Sequence, residues 1–272
     1  MHSKTLNICS KDDITYITFP KLEKTGIVRH IFSTKLGGVS PFPYGPMNMS
    51  FNQDDRQNVI KNYELLCGCV GIDTKHLVLS KQTHTNNVMV VNKSHCGTGY
   101  TKESFEDIDG LITNQSGVAL VTQYADCTPL IFCDPVKKVI ATSHSGWRGT
   151  VQEIGRITVE KMQSEFDCKP SDIIACIGPC ISKCCYEVDT PVYAAFSKIP
   201  YLDLSKIFNN KGGGKYWLDM IEANKQILIN AGIKEENMDI SDLCTSCNAD
   251  ILHSHRASKG RRGTIGVIIE LK

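Results

Sequence analysis

Apolar residues recur along this chain in two rhythms, as short unbroken runs and as steps of three and four. Residues 54–68 place Val59, Ile60, Tyr63 and Leu66 at helical spacing, which predicts an amphipathic helix. Residues 150–166 repeat the pattern with Val151, Ile154, Ile157 and Met162 on one stripe, a second helix. A third is expected over 219–231, stopped by Gly232, since glycine closes helices in left-handed backbone. The unbroken runs read as strands: ITYITF (14–19, closed by Pro20), VMVV (88–91), VALVTQY (118–124), LIFC (130–133), VIAT (139–142), IIACI (173–177) and TIGVIIEL (264–271). Residues 34–53 hold Pro41, Pro43 and Pro46, yet Phe42, Tyr44, Met47 and Phe51 interrupt them with core-like side chains. That stretch reads as an ordered loop. Strands outnumber helices, and no repeat or composition break divides the chain. The expectation is one α/β (α+β) domain spanning residues 1–272.

Composition narrows the function. The 272 residues are 41% hydrophobic and 22% charged, enough to bury a core and too apolar for disorder. Thirty Lys+Arg balance twenty-nine Asp+Glu, so the basic excess of a nucleic-acid binder is missing. No apolar run approaches the roughly 18 residues of a membrane helix, and MHSKTLNICSKDD lacks the apolar core of a secretory signal. Thirteen cysteines, an odd count, point to free thiols in a reducing cytoplasm.

Three segments join a β run to a histidine or cysteine: LSKQTHTNNVMVV with His84, VTQYADCTPLIFCDP with Asp126 and Cys127, and VIATSHSGWRGT with His144. Separations of 43 and 17 residues match no local metal motif, so only tertiary folding could unite them. If united, two imidazoles and a thiolate suit Zn²⁺ and leave a fourth position open, the mark of a catalytic site. Asp126 is the adjacent carboxylate. Three unrelated side chains, a buried thiol and two satisfied histidines, remain the alternative. In SHSGWRGT, Gly146 and Gly149 permit a tight turn, Arg148 supplies a planar fork, and a following helix offers N–H groups to an anion such as phosphate. Arg148 in an internal salt bridge with Trp147 packed is the competing reading.

Other clusters read more plainly. CTSC has C-x-x-C spacing, so Cys180, Cys184, Cys185, Cys244 and Cys247 could hold a structural zinc. The adjacency of Cys184 and Cys185 is awkward for one tetrahedral ion, and buried thiols are preferred. Cys67 and Cys69 look like helix-end packing. KGGGK (211–215) lacks the P-loop pattern and reads as a mobile loop. HSHR (253–256) reads as the polar face of an edge strand, with a second metal pair as the alternative.

Taken together, FSTKLGGVS (32–40), KQTHTNNV (81–88), DGLITNQSGVALVTQYADCTPLIFCDP (109–135), ATSHSGWRGT (141–150), IGPCISKCCYEV (177–188), LDMIEANKQIL (218–228) and HSHRASKGR (253–261) resemble the YfiH/YlmD family. That family was long labelled multicopper polyphenol oxidoreductase, or laccase-domain, and later assigned as purine nucleoside phosphorylases. The resemblance implies a single domain of mixed β-sheets sandwiched between helices, with zinc on His84, Cys127 and His144. It implies phosphate-dependent cleavage of adenosine, inosine and S-methyl-5′-thioadenosine, with adenosine deamination and glycosidic hydrolysis alongside. Some relatives are linked instead to editing of peptidoglycan precursors. Lys35 stands where the family usually has Arg, Thr85 where it has Gly, and Lys259 where it has Thr; these departures bear on substrate preference. A multicopper centre needs several H-x-H pairs, and eight histidines with one such pair cannot supply it. The H-x-E and P-C-x-x-C pattern of zinc deaminases is absent too.

The expected catalytic set is Cys127, His144, Asp126 and Arg148. Lys35, Gln82, Arg148 and Arg256 are expected to bind the nucleoside and phosphate. Arg148, the 146–150 turn and Lys35 would hold the anion, and Asp126 would carry a proton in deamination. Cys127 as a nucleophile with His144 as base is a second mechanism, and a non-enzymatic metal or redox sensor a second class. No nucleic-acid or membrane partner is expected, and the chain is expected to be a monomer or homodimer.

Overall fold

Strands covered on both faces lose polar alternation, which is why the central runs of this sequence read as continuous apolar stretches. The computed structural model describes residues 2–52 and 54–272. In chain order the strands are β1 (Asn7–Lys11), β2 (Ile14–Thr18), β3 (Val28–Ser33), β4 (Leu77–Val78), β5 (Val88–Val90), β6 (Gly110–Thr113), β7 (Ala119–Tyr124) and β8 (Thr128–Asp134). They continue with β9 (Val139–Ser145), β10 (Ile174–Ile177), β11 (Glu187–Asp189), β12 (Phe208–Gly212), β13 (Lys215–Leu218), β14 (Met238–Ile240) and β15 (Ile265–Leu271). The helices are α1 (Pro20–Thr25), α2 (Arg56–Val70), α3 (Trp147–Val151), α4 (Ile154–Phe166), α5 (Thr190–Phe196), α6 (Leu204–Ile207), α7 (Met220–Asn230) and α8 (His255–Ser258).

Two six-stranded mixed sheets, ordered β1-β2-β3-β15-β7-β4 and β14-β10-β8-β9-β6-β5, face each other. Between them Ile17, Phe32, Leu120, Val267 and Ile269 of the first meet Leu111, Ile131, Ile140 and Cys176 of the second. Alternate residues turn outward: Ile31, Ala119, Val121 and Ile268 pack under Val59, Tyr63 and Leu66 of α2. On the opposite side Ile112, Leu130, Phe132 and Ala141 lie under Ile154, Val159 and Met162 of α4 and Leu228 of α7. The domain is thus helix, sheet, sheet, helix: the α/β (α+β) class expected from the apolar pattern, in the arrangement of mixed sheets between helices that the family resemblance implies. A small sheet ordered β11-β13-β12 and α5 close one end around Phe196, Phe208 and Leu218.

Three local expectations change. The 150–166 helix is two helices, α3 and α4, parted at Glu153, whose φ of 57° is left-handed. Apolar period alone could not show this, because Val151 and Ile154 stay on the buried side of both pieces. KGGGK is the turn of the β12–β13 hairpin: Gly212, Gly213 and Gly214 all have positive φ, and the flanking residues pair with a register shift. HSHR is not an edge strand either, since Ser254 caps α8 by accepting from Ala257 N–H. The ordered loop of 34–52 is anchored by Asn62, which donates to Ser40 Oγ and Asn48 O; residue 53 lies outside the described residues.

Glu153 offers a test of this junction. Its carboxylate accepts two bonds from Arg156, each 3.0 Å, and one from the Tyr201 hydroxyl. Left-handed backbone costs a non-glycine residue roughly 1–2 kcal/mol, and a partly exposed ion pair returns about 0.2–1 kcal/mol. Urea denaturation is expected to place Glu153→Gly within about 1 kcal/mol of wild type and Glu153→Ala about 1–2 kcal/mol below it. Equal losses in both variants would mean the backbone strain is not there.

Candidate metal centre and cleft

The β8–β9 hairpin builds half of the site. Asp134 accepts from the backbone N–H groups of Val136 and Lys137, an Asx turn that reverses the chain and lets Thr128 pair with Ser145 and Pro129 with His144. The open end of the hairpin therefore carries Cys127 and His144 side by side. Asp126 precedes them in left-handed backbone, φ 91°.

His84 comes from the loop before β5, also in left-handed backbone at φ 69°. What holds that loop is Asp109, fully buried immediately before β6. Its carboxylate accepts from the backbone N–H groups of Thr83 (3.1 Å), His84 (3.0 Å) and Thr85 (2.8 Å) and from the Thr85 hydroxyl (2.8 Å). His144 Nδ1 lies 2.8 Å from Asp109 Oδ1. Burial works against charge on Asp109, yet the His144 imidazole and the Thr85 groups hold its carboxyl at about 2. An ionised carboxylate only accepts, so His144 donates from Nδ1 and presents Nε2 to the site. One residue fixes both histidines, the carboxylate–histidine support common behind metal ligands.

Ligand atoms of His84, Cys127 and His144 all lie within 4.8 Å of one another, with Cys127 Sγ 3.7 Å from His84 Nε2. Edges of a zinc tetrahedron with N and S donors are about 3.4–3.8 Å, from bonds of about 2.0 and 2.3 Å, so the donor set fits zinc in kind and spacing. Burial opposes a charged thiolate, but the neighbouring His144 and His84 imidazoles bring Cys127 down to about 6. Burial likewise opposes protonation of His144, which the Cys127 thiolate and Asp109 raise to about 9. Gly146 leaves the room: a Cβ there would come 2.6 Å from His84 Cδ2 and 3.1 Å from Cys127 Sγ.

The trio opens into a cleft of about 830 Å³ lined by Phe51, Tyr186, Trp147, Arg148, Arg256 and Arg262, among others, a size typical of small-ligand sites. Arg148 stacks its guanidinium 4.5 Å over Trp147 and makes no ion pair among the described residues. Its helix starts at Trp147, earlier than expected, and is only five residues long. Gln82 reaches the lining, but its amide is spent on the backbone N–H and C=O of Gln123. Arg256 donates to Cys185 O and Glu187 O and lies over the Tyr186 ring.

Two expected residues are elsewhere engaged. Lys35 is outside this cleft; it lines a separate shallow hollow and donates to Ala249 O. Asp126 borders the cleft, but its oxygens accept from the Thr245 hydroxyl (2.6 Å) and Arg256 N–H (2.7 Å). That makes it a clamp between β8 and α8 in place of a free proton carrier. Of the departures, Thr85 supplies a bond to Asp109, and Lys259 caps α8 in left-handed backbone, away from the trio.

Sequence reasoning passed over Asp109, although DGLIT stood in a matching segment, and over Arg262. Arg262 borders the cleft with its Nε buried and unpartnered while Nη1 donates to Gly263 O. No spacing signal marks a lone arginine in RRGT. His253 is buried with Nε2 3.1 Å from Met47 O, whereas His255 faces the cleft, so the HSHR histidines do not form a pair. The preference for buried thiols also needs correction: Cys184 and Cys247 are exposed, and the sulfurs of Cys184, Cys185, Cys244 and Cys247 converge within 4.8 Å. The tight turn at 182–186 removes the objection from adjacency. Cys180 is buried as expected; its backbone bridges Cys244, but its sulfur is not one of the four.

A family model described as "Multi-copper polyphenol oxidoreductase laccase" matches residues 29–272. The chain is 37% identical over 245 residues to the Bacillus subtilis protein named purine nucleoside phosphorylase YlmD, covering 89% of this chain and 87% of that one. A Bacteroides thetaiotaomicron protein named purine nucleoside phosphorylase is 30% identical over 263 residues, 94% of this chain and 97% of its own. The crystal structure of the Bacillus licheniformis hypothetical protein YfiH superposes with a TM-score of 0.92 at 31% identity, covering 97% and 99% of the two chains. For YlmD from Geobacillus stearothermophilus the TM-score is 0.91 at 30% identity, covering 97% and 98%.

Proposed function

The chain belongs to the multi-copper polyphenol oxidoreductase laccase family, and on that premise we propose that it is a zinc-dependent purine nucleoside phosphorylase. Its substrates are adenosine, inosine and S-methyl-5′-thioadenosine, and adenosine deamination is a side activity. The observation that carries this reading is the convergence of a His/Cys/His donor set with Arg148, Arg256 and Arg262 on one cleft. Arg256 spends its guanidinium on Cys185 O and Glu187 O, whereas Arg148 and Arg262 keep donors free, which suits a phosphate-using enzyme. Relatives bearing the phosphorylase name over nearly the whole chain add to it.

His84, Cys127 and His144 would hold the zinc, which when bound supplies Lewis acidity toward an oxygen or nitrogen of the substrate. The remaining work falls to side chains. Phosphorolysis loosens the C1′–N9 bond toward an oxocarbenium ion while phosphate attacks the sugar. Arg262, partly desolvated with a free Nε, and Arg148, stacked and unpaired, neutralise and aim the phosphate. Phe51, Trp147 and Tyr186 offer flat apolar faces to purine and sugar. Asp126 keeps the backbone under Arg256 in place, and Asp109 keeps both histidines in register. The His144 imidazole, which with His84 brings the Cys127 thiol down to about 6, also supports a second mechanism, Cys127 as nucleophile with His144 as base. Retention of full zinc by Cys127→Ala would select it.

Incubation of zinc-loaded protein with each nucleoside, with and without phosphate, followed by chromatography, tests the function. Free base with ribose 1-phosphate, or with S-methyl-5-thioribose 1-phosphate from the thioether nucleoside, is the expected product pair, and the free sugar would indicate a hydrolase. No base release and no deamination would overturn the reading, leaving muropeptide substrates or a sensing role to be assayed. Loss of one charge-assisted bond costs about 1.5 kcal/mol, so Arg262→Ala is expected to raise the KM for phosphate about tenfold. The KM for inosine should change little.

A further inference from the structure

The four cysteines that converge outside the cleft have no part in the chemistry above. Cys184 and Cys185 sit in the turn between β10 and β11; Cys244 and Cys247 sit in the segment after β14. Cys184 Sγ is 3.4 Å from Cys247 Sγ and 3.7 Å from Cys185 Sγ, and Cys185 Sγ is 3.4 Å from Cys247 Sγ. Cys244 completes the group, all four sulfurs lying within 4.8 Å of one another. Zinc–sulfur bonds of about 2.3 Å in a tetrahedron put neighbouring sulfurs about 3.8 Å apart, which the three distances among Cys184, Cys185 and Cys247 match to within about 0.4 Å. A disulfide would engage only two of the four and needs its sulfurs at about 2.05 Å. A polynuclear cluster would spread the sulfurs wider than a single ion does.

The backbone is arranged for such a group. Cys185 N–H and Tyr186 N–H both donate to Ser182 O, curling the turn so that sequence neighbours present their sulfurs to one point. Ser182 N–H is 3.4 Å from Cys244 Sγ, the kind of donor a ligating thiolate accepts. Cys244-x-x-Cys247 is itself a turn, tied by Asn248 N–H and Asn248 Nδ2 to Cys244 O. Without a ligand, two exposed thiols and a half-buried one pressed together would be an oxidation liability.

We propose that Cys184, Cys185, Cys244 and Cys247 form a closed tetrathiolate site for one thiophilic divalent cation, zinc foremost. Its role is structural, because four protein donors leave no position for substrate. It clips two irregular segments at the rim of the cleft. Arg256 donates to Cys185 O, Tyr186 follows in sequence, and Thr245, beside Cys244, holds Asp126. The ion would thus stiffen the wall that carries Tyr186 and Arg256.

The test uses the full chain and zinc alone. On the unaltered protein, after reduction and chelation, zinc is expected to slow alkylation of Cys184, Cys185 and Cys247 at least tenfold, read cysteine by cysteine by mass spectrometry. Elemental analysis of Cys247→Ser is expected to show one zinc equivalent fewer than wild type. Cobalt-loaded His84→Ala is expected to keep a strong thiolate-to-cobalt charge-transfer band that Cys247→Ser weakens. Alkylation rates indifferent to zinc, or unchanged metal content in Cys247→Ser, would overturn the proposal. So would a stable disulfide among the four in freshly isolated protein that binds no zinc after reduction. The alkylation measurement stands even if a variant does not fold, and because it follows these cysteines alone, its outcome is independent of whether nucleosides are turned over.

Discussion

Asp109→Ala is expected to weaken zinc binding at the cleft about 10–100-fold, the usual penalty for losing a group that orients a ligand histidine, and to destabilise the fold by at least about 3 kcal/mol. The second effect follows from counting donors. Three backbone N–H groups and the Thr85 hydroxyl end on this carboxylate; the donors are only half-buried, and at the low end of the roughly 1–3 kcal/mol for an unpartnered donor the four together still reach about 3 kcal/mol. For a chain of this size that is a fall in Tm of about 6–12 °C, measured by calorimetry. Asp109→Asn keeps the shape but not the charge and gives a pH signature in metal-free protein. Asp109 is held at about 2 against 3.8 for a free side chain, so its contribution is present above about pH 4 and lost as pH falls toward 2. His144, raised from 6.5 to about 9 by the Cys127 thiolate first and by Asp109 second, contributes fully below 6.5 and loses its share as pH rises through 9, and Asp109→Asn removes only the Asp109 part of it. The gap between wild type and Asp109→Asn is expected to be widest between about pH 4 and 6.5. A pH-independent gap would mean the His144–Asp109 pair carries no charge.

Gly146→Ala is expected to remove at least about 10²-fold of kcat, the scale of an ångström-sized misplacement in a reacting centre, while leaving the fold intact. Gly146 has an ordinary φ of −68°, so alanine meets no backbone objection there. The conflict is steric: the new methyl would overlap the His84 ring and crowd Cys127 Sγ. His84 is the member that can yield, because its partners lie in the hairpin and it does not. The variant should therefore keep its Tm in metal-free form and lose cleft zinc, read by elemental analysis beside wild type. Full zinc content with full activity would show that His84 has space to spare.

How much of this could be read beforehand follows from what leaves a trace in sequence. Continuous apolar runs exposed β7, β8, β9, β10 and β15, since strands buried on both faces need nothing but hydrophobic residues. The strand β3 (VRHIFS) carries arginine and histidine amid its apolar residues and did not stand out; β12 and β13 hid behind three glycines. The His84, Cys127 and His144 segments were recognisable because rare residue types sat at strand ends. Asp109 carries no such mark: an aspartate before a strand usually means a turn, and only the fold reveals that three N–H groups point at it. The four-cysteine group failed for the opposite reason. Its residues were conspicuous, but the geometry of the 182–186 turn, which decides whether adjacent sulfurs can share a point, is not written in the spacing.

The hairpin that sets Cys127 beside His144 also bears on the order of events in folding. A two-stranded unit closed by a short turn forms in about 1–10 μs, and its loop-closure cost is small. Cys127 and His144 are thus expected to become neighbours by local structure before β3, β15 and β7 pair across the length of the chain. His84, 43 residues upstream of Cys127, joins only when Asp109 gathers its loop. A metal ion present during refolding would meet a two-point chelate early and a complete site late. It should speed the final docking of the 83–85 loop and leave the early hairpin rate untouched.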